Sequence, residues 1–119
     1  MVENTPTYRG GFSAVVAHGG LPSRTRSERG VIMAVFIGGA GDDTLFGGGR
    51  NDIIIGNAGH DYIDGGGGHD LISGGAGDDT IFGGTGNDIL LGGADNDRIA
   101  GGVGHDTIAG GAGNDFLIG

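Results

Sequence analysis

Residues 38–118 read GGAGDDTLF, GGGRNDIII, GNAGHDYID, GGGGHDLIS, GGAGDDTIF, GGTGNDILL, GGADNDRIA, GGVGHDTIA and GGAGNDFLI, which are nine consecutive units of nine residues. No insertion or deletion interrupts them. Every unit has glycine at its first position, aspartate at its sixth, and leucine or isoleucine at its eighth. A disordered linker has no reason to keep this register, so the sequence predicts repeats that stack and bury a shared interior.

Each unit combines a glycine-rich turn with a short strand. Glycines at the first, second and fourth positions can adopt positive φ and turn main-chain carbonyl groups toward a common point. The fifth position is always Asp, Asn or His, the non-glycine residues that best tolerate a left-handed conformation. Positions seven to nine predict a three-residue strand whose middle residue faces the interior. The predicted interior ladder is Leu45, Ile54, Ile63, Ile72, Ile81, Leu90, Ile99, Ile108 and Leu117.

Composition and charge limit the other functions that the chain can have. With 32 glycines, no tryptophan and no cysteine, its 119 residues lack the side chains for a conventional core, and composition alone indicates a disordered acidic segment. Residues 38–119 carry thirteen aspartates and two arginines, a net charge of −11, and lysine is absent. Such a field repels nucleic acid and anionic membranes and attracts cations. We also expect no membrane span, because no apolar run approaches about 18 residues.

The chemistry of the turns favours one class of cation. Carbonyl and carboxylate oxygens that gather in tight turns are costly unless a hard cation lies among them. Calcium accepts six to eight oxygen ligands in irregular geometry, whereas magnesium requires a near-ideal octahedron and releases its water reluctantly. Zinc and copper prefer nitrogen or sulfur ligands, and this chain has no cysteine. The residues therefore favour calcium.

The nonapeptide pattern GGxGxDxUx resembles the RTX repeat, also called the hemolysin-type calcium-binding repeat. The resemblance covers nine tandem units, 81 of the 119 residues. It implies an all-β fold, a right-handed parallel β-roll in which two units make one turn. It also implies that each calcium lies between a unit and the unit two further on, bridged by the sixth-position aspartates, with carbonyl oxygens of the glycine-rich turns completing the shell.

Carried over to this chain, the resemblance predicts two columns of metal sites. Odd-numbered units contribute Asp43, Asp61, Asp79, Asp97 and Asp115, with four gaps between neighbours; even-numbered units contribute Asp52, Asp70, Asp88 and Asp106, with three. Four gaps plus three predict up to seven Ca²⁺ ions. The predicted backbone carbonyl ligands are Gly38, Gly47, Gly56, Gly65, Gly74, Gly83, Gly92, Gly101 and Gly110.

Three residues depart from the glycine pattern. Asn57 replaces glycine at the second position, and Arg50 and Asp95 replace it at the fourth. Asparagine and aspartate still adopt the left-handed conformation, whereas arginine there costs about 1–2 kcal/mol and brings a positive charge near the ion. We expect the sites that border Arg50 and Asp95 to be the weakest.

Other chemistries find less support. His60, His69 and His105 occupy the fifth position, but no two lie two units apart, so a zinc cluster is disfavoured against a tolerated turn residue. The pairs Asp42–Asp43 and Asp78–Asp79 are positions five and six of a turn, with no nucleophile or pocket that would indicate an enzyme. An ice-binding face would need a threonine ladder, and Thr85 is the one threonine at the third position.

The ends of the chain and the outer faces suggest how the roll is used. We expect residues 1–30 to be unstructured, residues 31–37 to form a capping strand, and residues 38–119 to form the β-roll. Met33 is a candidate alternative start of translation. Apolar strand residues that should face outward predict a protein partner or self-association. They are Ile53, Ile55, Leu71, Ile89 and Leu91 on one sheet, and Phe46, Tyr62, Phe82, Phe116 and Ile118 on the other.

These properties predict calcium-dependent folding. Without metal, charge repulsion and glycine entropy should hold residues 38–119 open, so the free energy of calcium binding becomes free energy of folding. The resemblance implies a secreted protein that is exported unfolded by a type I route without a cleaved N-terminal signal, and that folds on meeting calcium outside the cell. The alternative is a fragment of a larger secreted RTX enzyme or toxin (a protease, lipase, epimerase or cytolysin) whose active domain is missing.

Overall fold

A computed structural model describes residues 7–8, 12–16 and 33–119 of the chain. These residues form strands and no helix, so none of them forms a helix that could cross a membrane. The strands are β1 (Thr7–Tyr8), β2 (Phe12–Val16), β3 (Met33–Ile37), β4 (Thr44–Gly48), β5 (Ile53–Ala58), β6 (Tyr62–Gly67), β7 (Leu71–Ala76), β8 (Thr80–Thr85), β9 (Ile89–Ala94), β10 (Arg98–Val103), β11 (Thr107–Ala112) and β12 (Phe116–Ile118).

From β3 onward the chain alternates between two parallel sheets. One sheet has the order β1-β2-β3-β5-β7-β9-β11, and the other has the order β4-β6-β8-β10-β12. Each strand pairs with the strand two further on, for example through Ile54 and Ile72, whereas β1 and β2 pair antiparallel. Two nonapeptides therefore make one turn of the solenoid. The predicted all-β parallel β-roll is confirmed.

The strands are longer than the repeat pattern indicated. Strands β6 to β11 each span six residues, which are positions seven to nine of one unit and the first three positions of the next. The prediction of three-residue strands was wrong. Because every turn stacks on a similar turn two units away, the backbone N–H and C=O groups find partners beyond the three strand positions.

The interior is a single ladder of aliphatic side chains. Leu45, Ile54, Ile63, Ile72, Ile81, Leu90 and Ile99 are buried, and Ile108 is partly buried against them. Leu117, predicted to belong to the ladder, is 47% exposed, because no described strand stacks beyond β12. Burial of one aliphatic residue per strand, each stabilising by roughly 1.5–3 kcal/mol, replaces the core that the composition cannot supply.

Strand β3 extends this ladder before the first repeat. Phe36 is fully buried in the same cluster, and Ala34 is buried as well. Counting back nine residues from Asp43 and Leu45 places Ala34 at the sixth position of a preceding unit and Phe36 at its eighth. The repeat pattern missed this unit, since it has neither the sixth-position aspartate nor the first-position glycine.

The N-terminal predictions are only partly within the described residues. For residues 31–37 the sequence predicted a capping strand, and the structure describes β3, which pairs with β5 on one side and with β2 on the other. For residues 1–30 the sequence predicted an unstructured segment, and the structure describes β1 and β2 there. The rest of residues 1–32 lie outside the described part.

Candidate calcium-binding turns

The sixth-position aspartates lie at the edge of the interior, one in the glycine-rich turn of each nonapeptide. Because strands two units apart pair in register, these aspartates form two columns in the odd and even order that the sequence predicts. Asp106 and Asp115 are less buried, since they lie near the open end of the roll. The remaining aspartates of the columns, each at most 3% exposed, are Asp43, Asp52, Asp61, Asp70, Asp79, Asp88 and Asp97.

From Asp61 onward, one oxygen of each carboxylate accepts a hydrogen bond from the backbone of the sixth-position residue two units earlier. Oδ1 of Asp52 accepts one of 3.0 Å from the backbone N–H of Ala34 in β3. Oδ1 of Asp61 accepts a hydrogen bond of 2.8 Å from the backbone N–H of Asp43, and Oδ1 of Asp70 accepts one of 2.8 Å from that of Asp52. The same bond repeats up to Oδ1 of Asp115, which accepts from the backbone N–H of Asp97 at 2.9 Å. These bonds fix the orientation of the carboxylates and leave Oδ2 to other partners.

The second carboxylate oxygen is the unusual feature of the site. Burying an acceptor without a hydrogen bond costs about 1–3 kcal/mol, and more for a charged group. Asp43 does not share this feature, because its Oδ2 accepts from the backbone N–H of Gly39 at 2.7 Å. The aspartates whose Oδ2 is buried without a hydrogen-bond partner are Asp52, Asp61, Asp70, Asp79, Asp88, Asp97 and Asp106.

Main-chain oxygens lie in the same space as these Oδ2 atoms. A Cβ atom added to Gly65 would be 2.5 Å from Oδ2 of Asp70 and 2.7 Å from the carbonyl oxygen of Gly83. The carboxylate of a unit and the first-position carbonyl two units on therefore border the same point. This arrangement repeats for the carbonyl oxygens of Gly56, Gly65, Gly74, Gly83, Gly92, Gly101 and Gly110.

Two of the predicted carbonyl ligands are placed differently. Gly38 and Gly47 belong to the first unit of each column, and in the described residues no sixth-position aspartate two units earlier borders their carbonyl oxygens. The carbonyl oxygen of Gly38 instead accepts a hydrogen bond of 2.8 Å from the side-chain amide of Asn57.

The invariant first-position glycine has a different physical reason from the one we predicted. Positive φ occurs at the second and fourth positions, for example at Gly66 and Gly68, but at no first-position glycine of the described residues. The first-position Cα instead faces the carboxylate and the neighbouring carbonyl group, where a Cβ has no room. Close approach, not backbone conformation, excludes other residues there.

The three residues that depart from the glycine pattern differ in their backbone conformation. Asn57 has a φ of 83° and Asp95 a φ of 81°, as predicted for residues that tolerate the left-handed region. Arg50 is not among the residues with positive φ, so the backbone strain predicted for it is not observed. Gly41, at the same position of the preceding unit, also lacks positive φ. This conformation therefore belongs to the N-terminal turns and not to the arginine.

Burial without a partner makes these carboxylates resist ionisation. Desolvation raises the pKa of Asp70 to about 7 and that of Asp79 to about 6, although a backbone N–H bond to each carboxylate acts in the opposite direction. Neighbouring carboxylates of the same column raise both pKa values further. Burial is also the main cause of the raised pKa values of Asp52, Asp61, Asp88 and Asp97. Burial in the metal-free roll thus raises the pKa of each of these aspartates and shifts its carboxyl group toward the protonated form.

Each turn supplies only one inward carboxylate. In the part of the chain that the structure describes, no three His, Cys, Asp or Glu side chains converge into a metal-binding group. A cation held here must take most of its ligands from main-chain oxygens, which calcium accepts and zinc does not.

The outer faces carry the apolar residues that the sequence placed there. On the smaller sheet the rings of Phe46, Tyr62 and Phe82 are exposed, with centroids 6.1 Å and 5.6 Å apart along the row. On the larger sheet Leu71, Ile89 and Leu91 are exposed. Their use in binding a protein partner or a second copy stays a prediction.

Comparison with known proteins agrees with the repeat pattern. A model of the RTX calcium-binding nonapeptide repeat, which spans four copies, matches residues 37–72, 65–99 and 91–119. Neither the curated proteins nor the solved structures give a match. Since this family model matches the chain from residue 37 to residue 119 and the same residues stack as a parallel β-roll, the chain belongs to the family of RTX calcium-binding nonapeptide repeats.

Proposed function

We propose that the turns of this β-roll bind calcium and that calcium is required for the roll to be stable. One observation carries the proposal: seven buried Oδ2 atoms have no hydrogen-bond partner, and all but that of Asp106 border the first-position carbonyl oxygen two units on. A hard divalent cation stabilises such oxygens and neutralises the charge that burial disfavours.

The proposed ligands follow the gaps between stacked turns. Each gap offers Oδ2 of one aspartate and the carbonyl oxygen of the first-position glycine two units on, as with Asp70 and Gly83. The two columns have four and three such gaps, so up to seven ions are proposed. All nine sixth-position aspartates are proposed as side-chain ligands, because in the family pattern the aspartates on both sides of a gap bridge the ion. The geometry supports Oδ2 of the seven from Asp43 to Asp97 and the carbonyl oxygens of the first-position glycines from Gly56 to Gly110.

The charge of the chain supports a role for calcium in folding. Thirteen aspartates stand against two arginines in residues 38–119, and the sixth-position carboxylates stack at every second unit. Seven divalent ions would contribute +14 against −11. Binding free energy then becomes folding free energy, because the oxygen cages do not exist in the open chain.

We further propose that the roll is a secreted, non-catalytic module. Proteins with these repeats are typically secreted, and the repeat fold is generally structural. Export unfolded at low calcium by a type I route, followed by folding in extracellular calcium, is the use that fits a metal-dependent roll. A larger RTX enzyme or toxin that contains this roll is the alternative.

The test measures ion number and folding together. Calorimetric titration should count up to seven calcium ions, and circular dichroism should show β-structure with calcium and its loss with chelator, while magnesium at equal concentration should not replace calcium. D70N should lower the ion count, because it removes one carboxylate of the even column. The matched control is D64N, which changes an outward strand residue. A chain equally structured in calcium and in chelator would contradict the proposal.

A further inference from the structure

A second column of side chains runs beside the aspartates. Every fifth-position residue from the third unit onward donates its backbone N–H to the side chain of the fifth-position residue two units earlier. In the odd column His60 donates to Oδ1 of Asp42 at 2.8 Å, and Asp78 donates to Nδ1 of His60 at 2.9 Å. In the even column Asn87 donates to Nδ1 of His69 at 2.8 Å.

This column explains which residues occupy the fifth position. The nine residues there are two aspartates, four asparagines and three histidines. These types share an acceptor atom at the δ1 position, Oδ1 in Asp and Asn and Nδ1 in His. The sequence had suggested tolerance of a left-handed backbone instead. That interpretation was wrong, because none of the fifth-position residues has a positive φ.

Across every gap, the hydrogen bonds of the sixth-position residues and those of the fifth-position residues run in opposite directions along the chain. Between the first and third units, Asp43 N–H donates forward to Oδ1 of Asp61, and His60 N–H donates back to Oδ1 of Asp42, both at 2.8 Å. Between the third and fifth units, Asp61 N–H donates to Asp79 and Asp78 N–H donates to His60, both at 2.9 Å. All seven gaps carry this reciprocal pair.

The structure assigns a positioning role to the fifth-position side chains: they hold successive turns together so that Oδ2 and the carbonyl oxygen of each gap border the same point. This assignment rests on the proposed function and adds residues that do not bind the ion. In His60 and His69 the acceptor is Nδ1, which can accept a backbone N–H only when it carries no proton itself. No described residue donates a backbone N–H to the side chain of His105, so this side chain is outside the set.

The first test distinguishes the loss of the δ1 acceptor of His60 from the loss of its imidazole ring. H60A should raise the calcium concentration at the folding midpoint by roughly 3- to 10-fold, since one hydrogen bond to the next turn is lost. H60N should restore the midpoint, because it returns an acceptor at the δ1 position. H105A is the matched control and should leave the midpoint unchanged. Equal midpoints for H60A and the original chain would overturn the inference, as would a failure of H60N to restore it.

The second test detects the hydrogen bond itself. In the calcium-loaded protein labelled with ¹⁵N, a scalar coupling should cross the bond between the Asp78 amide nitrogen and Nδ1 of His60. A proton on Nδ1 of His60 would overturn the inference. The two proposals fail differently: no calcium response of the original chain contradicts the proposed function, whereas a normal response with no coupling contradicts only the positioning role.

Discussion

The backbone N–H of Asp61 donates to Oδ1 of Asp79 at 2.9 Å, whereas Oδ2 of the same Asp79 carboxylate is buried without a hydrogen-bond partner. One oxygen of this side chain therefore joins two turns and the other has no such partner. The two oxygens can be separated experimentally, because asparagine keeps an acceptor at Oδ1 and replaces the second oxygen with an amide nitrogen.

We expect D79N to destabilise the calcium-bound roll without destabilising the metal-free chain. Without calcium the substitution removes a buried charge, so residual β-structure in chelator should increase or stay equal. With saturating calcium it removes a ligand, so the melting temperature should fall. Thermal unfolding followed by circular dichroism in both conditions measures the two effects. A fall in both conditions, with the same size, would assign Asp79 a purely structural role.

Gly65→Ala should damage one gap through steric overlap. The added Cβ would lie 2.5 Å from Oδ2 of Asp70 and 2.7 Å from the carbonyl oxygen of Gly83, so the turn must shift at a cost of about 1–3 kcal/mol. Calcium titration should then show a raised folding midpoint. Gly49→Ala is the matched control, because a Cβ there meets no atom within 4 Å and its φ is not positive. Equal effects at both glycines would contradict the proposed crowding.

Acid should favour the metal-free roll. The pKa of Asp70 is raised to about 7 and that of Asp79 to about 6, from 3.8. Between pH 4 and pH 7 the folded state therefore holds more protons than the unfolded state, and the free energy of unfolding falls as pH rises. In chelator, β-structure should be greater near pH 4.5 than near pH 7.5. Because calcium competes with those protons, its affinity should rise over the same range.

The control for this pH dependence is the calcium-saturated protein. Ions that hold the carboxylates ionised should make its melting temperature change little or rise between pH 5 and pH 7.5. A metal-free chain whose β-structure increased toward neutral pH would contradict the predicted sign.

Ile72→Ala should destabilise the roll at its centre. Ile72 is fully buried in the interior ladder, and removing its outer methylene and methyl groups leaves a cavity that costs about 2–5 kcal/mol. Leu117→Ala should cost less, because Leu117 is 47% exposed at the last strand. Thermal unfolding in saturating calcium compares them. Similar losses at the two positions would argue against a closed central ladder.

The repeat pattern predicted the fold because its invariant aliphatic and aspartate positions each have one structural consequence. Aliphatic residues at every ninth position formed the interior, and aspartates at every ninth position formed the two columns. The sequence did not predict strand length, since pairing beyond positions seven to nine depends on turns that lie two units away. It also did not predict that β3 contributes Phe36 to the interior. The units were recognised by their glycines and aspartates, whereas packing in the interior requires only an apolar side chain of suitable size.

The site was less predictable than the fold. The sequence placed the aspartates but could not tell that Oδ1 is used by a neighbouring turn while Oδ2 is not. For His60 and His69 the signal was present, because the fifth position admits only residues with an acceptor at δ1. It was interpreted as a conformational preference, since a hydrogen bond that spans 18 residues cannot be inferred from a single nonapeptide.

The reciprocal bonds across 18 residues constrain how such a chain can change length. Deleting two adjacent units removes two proposed ion sites, and duplicating two adjacent units adds two. In both cases every downstream turn stays in its own column, and neither end of the roll has to change. Loss of one unit also leaves a foldable roll, but every downstream strand moves to the opposite sheet, and the outward aromatic row is broken. Evolution can therefore adjust the number of bound ions in single steps while keeping a chosen outer surface only in steps of two.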